Sequence, residues 1–308
     1  MSQGKLKHSP LAVVGTVAID GIETPAGVRD RIFGGSASYF SYAASFYSPV
    51  ALVAVVGKDF PSEYRKILEE RRIDLSHLEV LDGKTFFWKG SYVADLNAAQ
   101  TQETQLNVLL DFNPKVCFKR QPPYLFLANV DPALQLKVLD QVDRKALKFV
   151  ACDSMNFWIQ NKRAALLDVL KRVDCFVLND GEARQLTGEK NLVKAARAVR
   201  ALGPKRVVLK KGEHGVLYLE ENGFFALPAF PLDSVCDPTG AGDSFAGAMM
   251  GYLASTGDLS MRNMRKALAC ATVMASFTVQ DFGLEKLRAI SPKELRLRLG
   301  QFKKICSF

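Results

Sequence analysis

What this chain has little of narrows it first. Six cysteines stand at 117, 152, 175, 236, 270 and 306 with no C-x-x-C spacing. Cys152, Cys175 and Cys270 fall within apolar segments, so buried reduced thiols are expected rather than a disulfide framework. Three histidines without metal-ligand spacing give no zinc site. The uncharged runs 244–257 and 267–280 fall short of the roughly 20 residues that span a bilayer. The opening MSQGKLKH lacks the apolar stretch of a secretory leader, and a cytoplasmic location without membrane contact is the expectation. No G-x-x-x-x-G-K-[ST] run occurs, which excludes a P-loop enzyme. A contiguous basic stripe is missing too: Lys162, Arg163, Lys171 and Arg172 lie on one predicted helix, and Arg262, Arg265 and Lys266 on another. The net charge of +9 therefore reads as solvated helix faces, or suits a polyanionic ligand such as a nucleotide, and no nucleic-acid partner is expected.

What remains is the composition of a globular enzyme, with 48% hydrophobic and 24% charged residues over 308 positions. Apolar runs recur at Leu11–Gly15, Val50–Gly57, Tyr124–Asn129, Phe149–Asp153, Cys175–Asn179 and Arg206–Lys210 and read as strands buried on both faces. Amphipathic helical patterns over 61–72, 133–143, 162–172 and 192–203 separate most of them. Such alternation predicts parallel β-α-β units in a doubly wound, mostly parallel α/β sheet flanked by helices. Residues 16–33 and 84–110 carry no helix pattern; the second, with KTFFWKGSYV, is rich in strand formers. Both are expected to form a small β-sheet lid inserted into a single α/β domain over 1–308. In open parallel sheets ligands gather at the carboxyl ends of the strands, and Asp20, Asn129, Asp153, Asn179 and Lys210 stand at those ends. Each alone is a helix cap or turn former; five along one edge point to a site.

The most specific run is Asp237-Pro238-Thr239-Gly240-Ala241-Gly242-Asp243-Ser244-Phe245, followed at once by a long apolar helical pattern. Backbone N–H groups at a helix N-terminus attract anions. A carboxylate beside an anion cradle makes sense if it takes a proton from the group that attacks the anion, which is the chemistry of phosphoryl transfer.

This run resembles the second signature of the ribokinase-like (PfkB) carbohydrate kinases, D-[TP]-x-G-A-G-D, and the likeness extends over about residues 11 to 290. Asn179-Asp180-Gly181-Glu182 matches the family's N-x-x-E motif, Lys210-Lys211-Gly212 with Gly215 its K-x-G turn near the nucleotide, and Gly34-Gly35 its acceptor-binding G-G-x-x-x-N element. Tyr39 stands where many sugar kinases have Asn, which makes the identity of the acceptor the open point. The resemblance implies Asp243 as base, an anion hole at Gly240, Ala241 and Gly242, and Glu182 acting on Mg2+. It also implies acceptor contacts from Asp20, Gly34, Gly35, Tyr39 and Asn129, and ATP contacts from Asn179, Lys210, Gly212, Gly215 and Thr239. Asp237 and Thr239 stand where some relatives bind potassium. A sugar or sugar-like hydroxyl is the expected acceptor. A nucleoside is the alternative, since Tyr39, Phe40, Phe86, Phe87 and Trp88 either stack on a base or pack together. A non-catalytic nucleotide-sensing or nucleic-acid-binding protein is a third reading. A lid with an exposed apolar face would pair with its twin as a homodimer. Asp281-Phe282-Gly283 spells a protein-kinase motif but lacks the companion loops.

Overall fold

The computed structural model describes residues 10–93, 95–97 and 99–307; the segment read for a leader, and positions 94 and 98 of the second lid stretch, lie outside the described residues. Strand β1 (Leu11–Val14) enters the centre of the main sheet, and the chain then leaves it for a hairpin, β2 (Ala18–Thr24) and β3 (Gly27–Gly34). Helix α1 (Ser36–Ala44), β4 (Val50–Gly57), α2 (Ser62–Glu70) and β5 (Asp74–Leu81) return to the main sheet. A second excursion gives β6 (Phe87–Ser91) and β7 (Gln100–Gln105). Then follow β8 (Tyr124–Leu127), α3 (Pro132–Gln141), β9 (Phe149–Cys152), α4 (Asn156–Asn161), α5 (Arg163–Leu170), β10 (Cys175–Asn179), α6 (Asp180–Thr187), α7 (Leu192–Ala201) and β11 (Arg206–Lys210). Strands β12 (Val216–Glu220) and β13 (Gly223–Leu227) and helices α8 (Ala241–Thr256), α9 (Met261–Thr278), α10 (Glu285–Ala289) and α11 (Pro292–Ile305) complete the chain.

The nine-stranded sheet has the order β13-β12-β11-β10-β9-β8-β1-β4-β5. It is parallel from β11 through to β5, and β12 and β13 add an antiparallel edge. All six expected strands lie in its parallel part. Their near-continuous apolar runs follow from burial on both faces: all eight residues of Val50–Gly57 are buried. Along β1, Leu11 and Val13 join the core beneath α1, α8 and α9, whereas Ala12 and Val14 join the core beneath α3, α5, α6 and α7. Edge strand β5, with Asp74, His77 and Glu79 partly exposed, escapes an apolar-run reading because only one side of it meets the core.

The two excursions form a separate four-stranded sheet, β3-β2-β6-β7, in which β2 runs antiparallel to β3 and parallel to β6. One packing detail fixes the site between sheet and lid. Gly247 and Gly251 of α8 face α1, and a Cβ at either would run into the Phe40 or Ala44 carbonyl oxygen. Glycine thus lets the two helix backbones touch; a bulkier residue would cost about 1–3 kcal/mol in overpacking. The N-termini of α1 and α8 are thereby held side by side at the carboxyl edge of the sheet. Among the described residues no helix is long and apolar enough to cross a membrane.

Candidate active site

At one end of the cleft, Asp20 is buried at 4% exposure and its carboxyl lies against Gly34, where any Cβ would overlap it. Gly35, at φ 96°, is pressed against the Thr16 carbonyl and starts α1. Ser36 locks this corner: its N–H donates to Thr16 Oγ1 at 3.0 Å and its hydroxyl to the Asn129 carbonyl at 3.2 Å. Burial is the main reason the Asp20 carboxyl is pushed up to about 8, with Asp237 and Asp243 adding to it and the Gly35 amide opposing it. Tyr39 is 1% exposed and its hydroxyl has no hydrogen-bond partner. Its ring lies against Gly240, so that the Asp20 corner and the helix-end cradle meet at this contact.

At the other end, Gly240 caps α8 in the left-handed conformation, φ 74°, a geometry that glycine adopts freely. The Ala241 N–H reaches the Pro238 carbonyl at 3.2 Å and the Ser244 N–H the Gly240 carbonyl at 2.8 Å. The Gly242 and Asp243 amides reach no carbonyl among the described residues, as expected of a first helical turn. Lys210, at the end of β11, brings its Nζ against Gly242, adding a cation to the helix-end partial charge. The cradle is braced from behind by Asp237, fully buried, whose Oδ1 accepts from the Thr239 N–H (2.8 Å) and Oδ2 from the Gly283 N–H (3.1 Å). The 281–283 run thus has a local structural use unrelated to protein kinases.

Three carboxyls share the ammonium of Lys210. Burial pushes Asp243 up to about 6, Lys210 holding it down and Glu182 raising it. Burial and then Asp243 push Asp153 well above the ordinary range, and burial raises Glu182. Asp153 Oδ1 is buried and has no hydrogen-bond partner among the described residues, an arrangement that is costly unless a ligand supplies one. The cluster therefore sets three carboxyls against a single ammonium and holds an orphaned oxygen, which fits a divalent cation. No three His, Cys, Asp or Glu side chains are grouped as a metal cage among the described residues; Mg2+ keeps several waters and takes few carboxylates.

The sequence-selected residues divide clearly. Asp20, Gly34, Gly35 and Tyr39 meet at the acceptor corner, and Gly240, Ala241, Gly242, Asp243, Lys210 and Glu182 meet at the cradle. Asn179 and Glu182 also form a reciprocal capping box on α6, each side chain accepting the other's backbone N–H at 2.7 Å. One Glu182 oxygen is thus engaged in the fold. Asn129 is held by Trp158 Nε1–H donating to its Oδ1 (2.9 Å) and by its own Nδ2 donating to Met155 Sδ (3.3 Å). The Thr239 hydroxyl is buried beside the Tyr92 phenol. Gly212 and Gly215 flank an exposed turn that the lid touches: Asn97 packs on Gly212 and donates to Glu213 Oε2 at 2.9 Å. Asp153, Trp88 and Tyr92 complete the surroundings. Asp153 had a visible signal, its place at a strand end; Tyr92, whose phenol lies beside Thr239, had none, because only lid folding brings it there.

Comparison with known proteins agrees with this geometry. A family model described as pfkB family carbohydrate kinase matches residues 12–288. The chain is 30% identical over 246 residues to a cytidine kinase of Thermococcus kodakarensis, covering 79% of this chain and 88% of that protein. Its fold is that of a Burkholderia thailandensis nucleoside kinase solved with inosine (TM-score 0.79, 18% identity, covering 94% of this chain and 98% of that one). A Cryptococcus neoformans ribokinase solved with ADP is equally similar (TM-score 0.78, 21% identity, covering 94% and 99%).

Proposed function

The chain belongs to the pfkB family of carbohydrate kinases, and on that footing we propose that it transfers the γ-phosphoryl group of ATP to a hydroxyl of a small sugar-like acceptor, the sugar being free or the ribose of a nucleoside. The observation that carries this reading is the Asp243 carboxyl in the first turn of α8, beside amides that reach no carbonyl among the described residues and beside the Lys210 ammonium. Asp243, poised near 6, takes the hydroxyl proton as that oxygen bonds to phosphorus and the bond from phosphorus to the leaving diphosphate oxygen breaks. The Gly242 and Asp243 amides and Lys210 stabilise the negative charge that develops. Asp20 orients the acceptor hydroxyls, and the lid that reaches Glu213 through Asn97 excludes water. Glu182 and Asp153 would hold Mg2+, which when bound neutralises phosphate charge.

Similarity to a cytidine kinase over most of both chains favours the nucleoside form of the acceptor. The test is a coupled assay with ATP over free sugars and nucleosides, run on the protein and on Asp243→Asn. The variant should keep its thermal unfolding profile and ATP affinity while turnover falls about 10²–10⁴-fold. Near-normal turnover would remove Asp243 from the mechanism.

A further inference from the structure

The lid presents one aromatic surface on the face turned to the cleft. Strand β6 runs beside β2 with Trp88 in register with Asp20 and Gly90 with Ile22. Residues in register on neighbouring strands project to the same side of a sheet, so the Trp88 indole and the Asp20 carboxyl share a face. The opposite face carries Ile19, Phe33 and Phe87 in one row, with Phe33 stacked on Tyr64 of α2 at 5.0 Å between ring centroids. The indole does not stand off its strand. A Cβ at position 90 would collide with its six-membered ring, and its Nε1–H donates to Thr101 Oγ1 on β7 at 3.2 Å. Glycine inside a strand weakens it and marks a site of close approach; here it makes a seat for a ring. That ring is fixed at one edge by Thr101 and remains partly exposed.

We propose that Trp88 is the platform on which the base of a nucleoside acceptor stacks, which rests on the kinase reading above and narrows its acceptor to a nucleoside. Direction decides between base and sugar. The indole lies along β6 over Gly90 with its N–H edge turned to β7, one strand removed from Asp20 on β2, and neighbouring strands lie about 4.8 Å apart. A furanose held by Asp20 therefore leaves the indole to the substituent on its anomeric carbon. A flat heterocycle matches a rigid, pre-oriented indole at little entropic cost. Tyr39 cannot take this role, since its ring is buried on Gly240.

Titration calorimetry with cytidine, adenosine and D-ribose tests this directly on the protein and on Trp88→Ala, Trp88→Phe and Gly90→Val. Nucleosides should bind the unaltered protein at least about tenfold more tightly than D-ribose. Trp88→Ala should weaken nucleoside binding about 10- to 100-fold and leave ribose within about twofold. Trp88→Phe should recover most of the loss, and Gly90→Val should reproduce it with Trp88 present by unseating the ring. Unchanged nucleoside affinity in Trp88→Ala, or an equal loss for ribose, overturns the proposal. The two readings fail separately. Trp88-dependent nucleoside binding without phosphorylation removes the kinase assignment and keeps the platform. Phosphorylation of free sugars, indifferent to Trp88, does the reverse.

Discussion

The two ends of the cleft are built on different principles. The cradle end is made largely of main chain: the Gly240 cap, the Gly242 and Asp243 amides, and side chains fixed at strand or helix ends, Lys210 and Glu182. The acceptor end is made of side chains from segments far apart in sequence, with Asp20 and Trp88 on two lid strands and Tyr39 on α1. Main-chain geometry tolerates few residues, because a Cβ at 240 strikes Tyr39 and one at 242 strikes Lys210. Side-chain walls can be exchanged one at a time. On the proposed function, the reaction is therefore written into a short contiguous run, whereas the substrate is written into distributed positions.

The largest expected effect tests a place where the two ends touch. Gly240→Val would lose the left-handed cap and drive its side chain into the Tyr39 ring. Activity should fall by about 10² or more for every acceptor, with a lowered melting temperature. An acceptor-selective loss would mean that the contact belongs to the acceptor end alone.

Next in size is Lys210→Met, which probes the cradle alone. Turnover should drop about 10- to 100-fold by the same factor for each acceptor. The pH profile carries a sign. Lys210 holds the Asp243 carboxyl down, so its removal should move the acid limb of kcat/KM, expected near pH 6 in the unaltered enzyme, to higher pH. A limb that stays in place would detach Asp243 from the proton transfer.

Tyr39→Asn probes the other end. Removing a fully buried ring opens space beside Asp20, and the ratio of nucleoside to free-sugar KM should shift about tenfold while the KM for ATP holds. Tyr39→Phe removes only a hydroxyl that has no partner and should be neutral or stabilising in a thermal melt. An ATP effect as large as the acceptor effect would erase the distinction between the ends.

These differences explain what could be read without coordinates. The parallel sheet was legible because strands such as Val50–Gly57 are buried on both faces and must be apolar throughout. The cradle was legible because a helix N-terminus with glycines and a carboxylate is specified within nine residues. The lid was visible only as a break in the alternation. The roles of its residues depend on pairings across the sheet, Trp88 with Asp20 and Gly90 with Ile22, that no local pattern encodes. Asn129 shows the converse: a strand-end amide that looks free in sequence is held by Trp158 and Met155.

The smallest effect concerns stability, and Asp20 carries it. Burial pushes this carboxyl up to about 8 from an ordinary value of 3.8, so the folded chain keeps a proton that the unfolded chain has released. A raised acid pKa gives a contribution to stability that is complete below about pH 4 and is lost as pH rises through about 8. At pH 5 the neutral carboxyl resembles an amide, and Asp20→Asn should melt close to the unaltered protein. At pH 9 the unaltered protein holds a buried charge beside Asp237 and Asp243, and the variant should be the more stable by several degrees. Melts of both at the two pH values, without ligand, decide it. If the unaltered protein instead gains on the variant as pH rises, Asp20 is ionised in the free fold. The acceptor corner would then be a charged site like the cradle, and the contrast between the two ends would lose its electrostatic half.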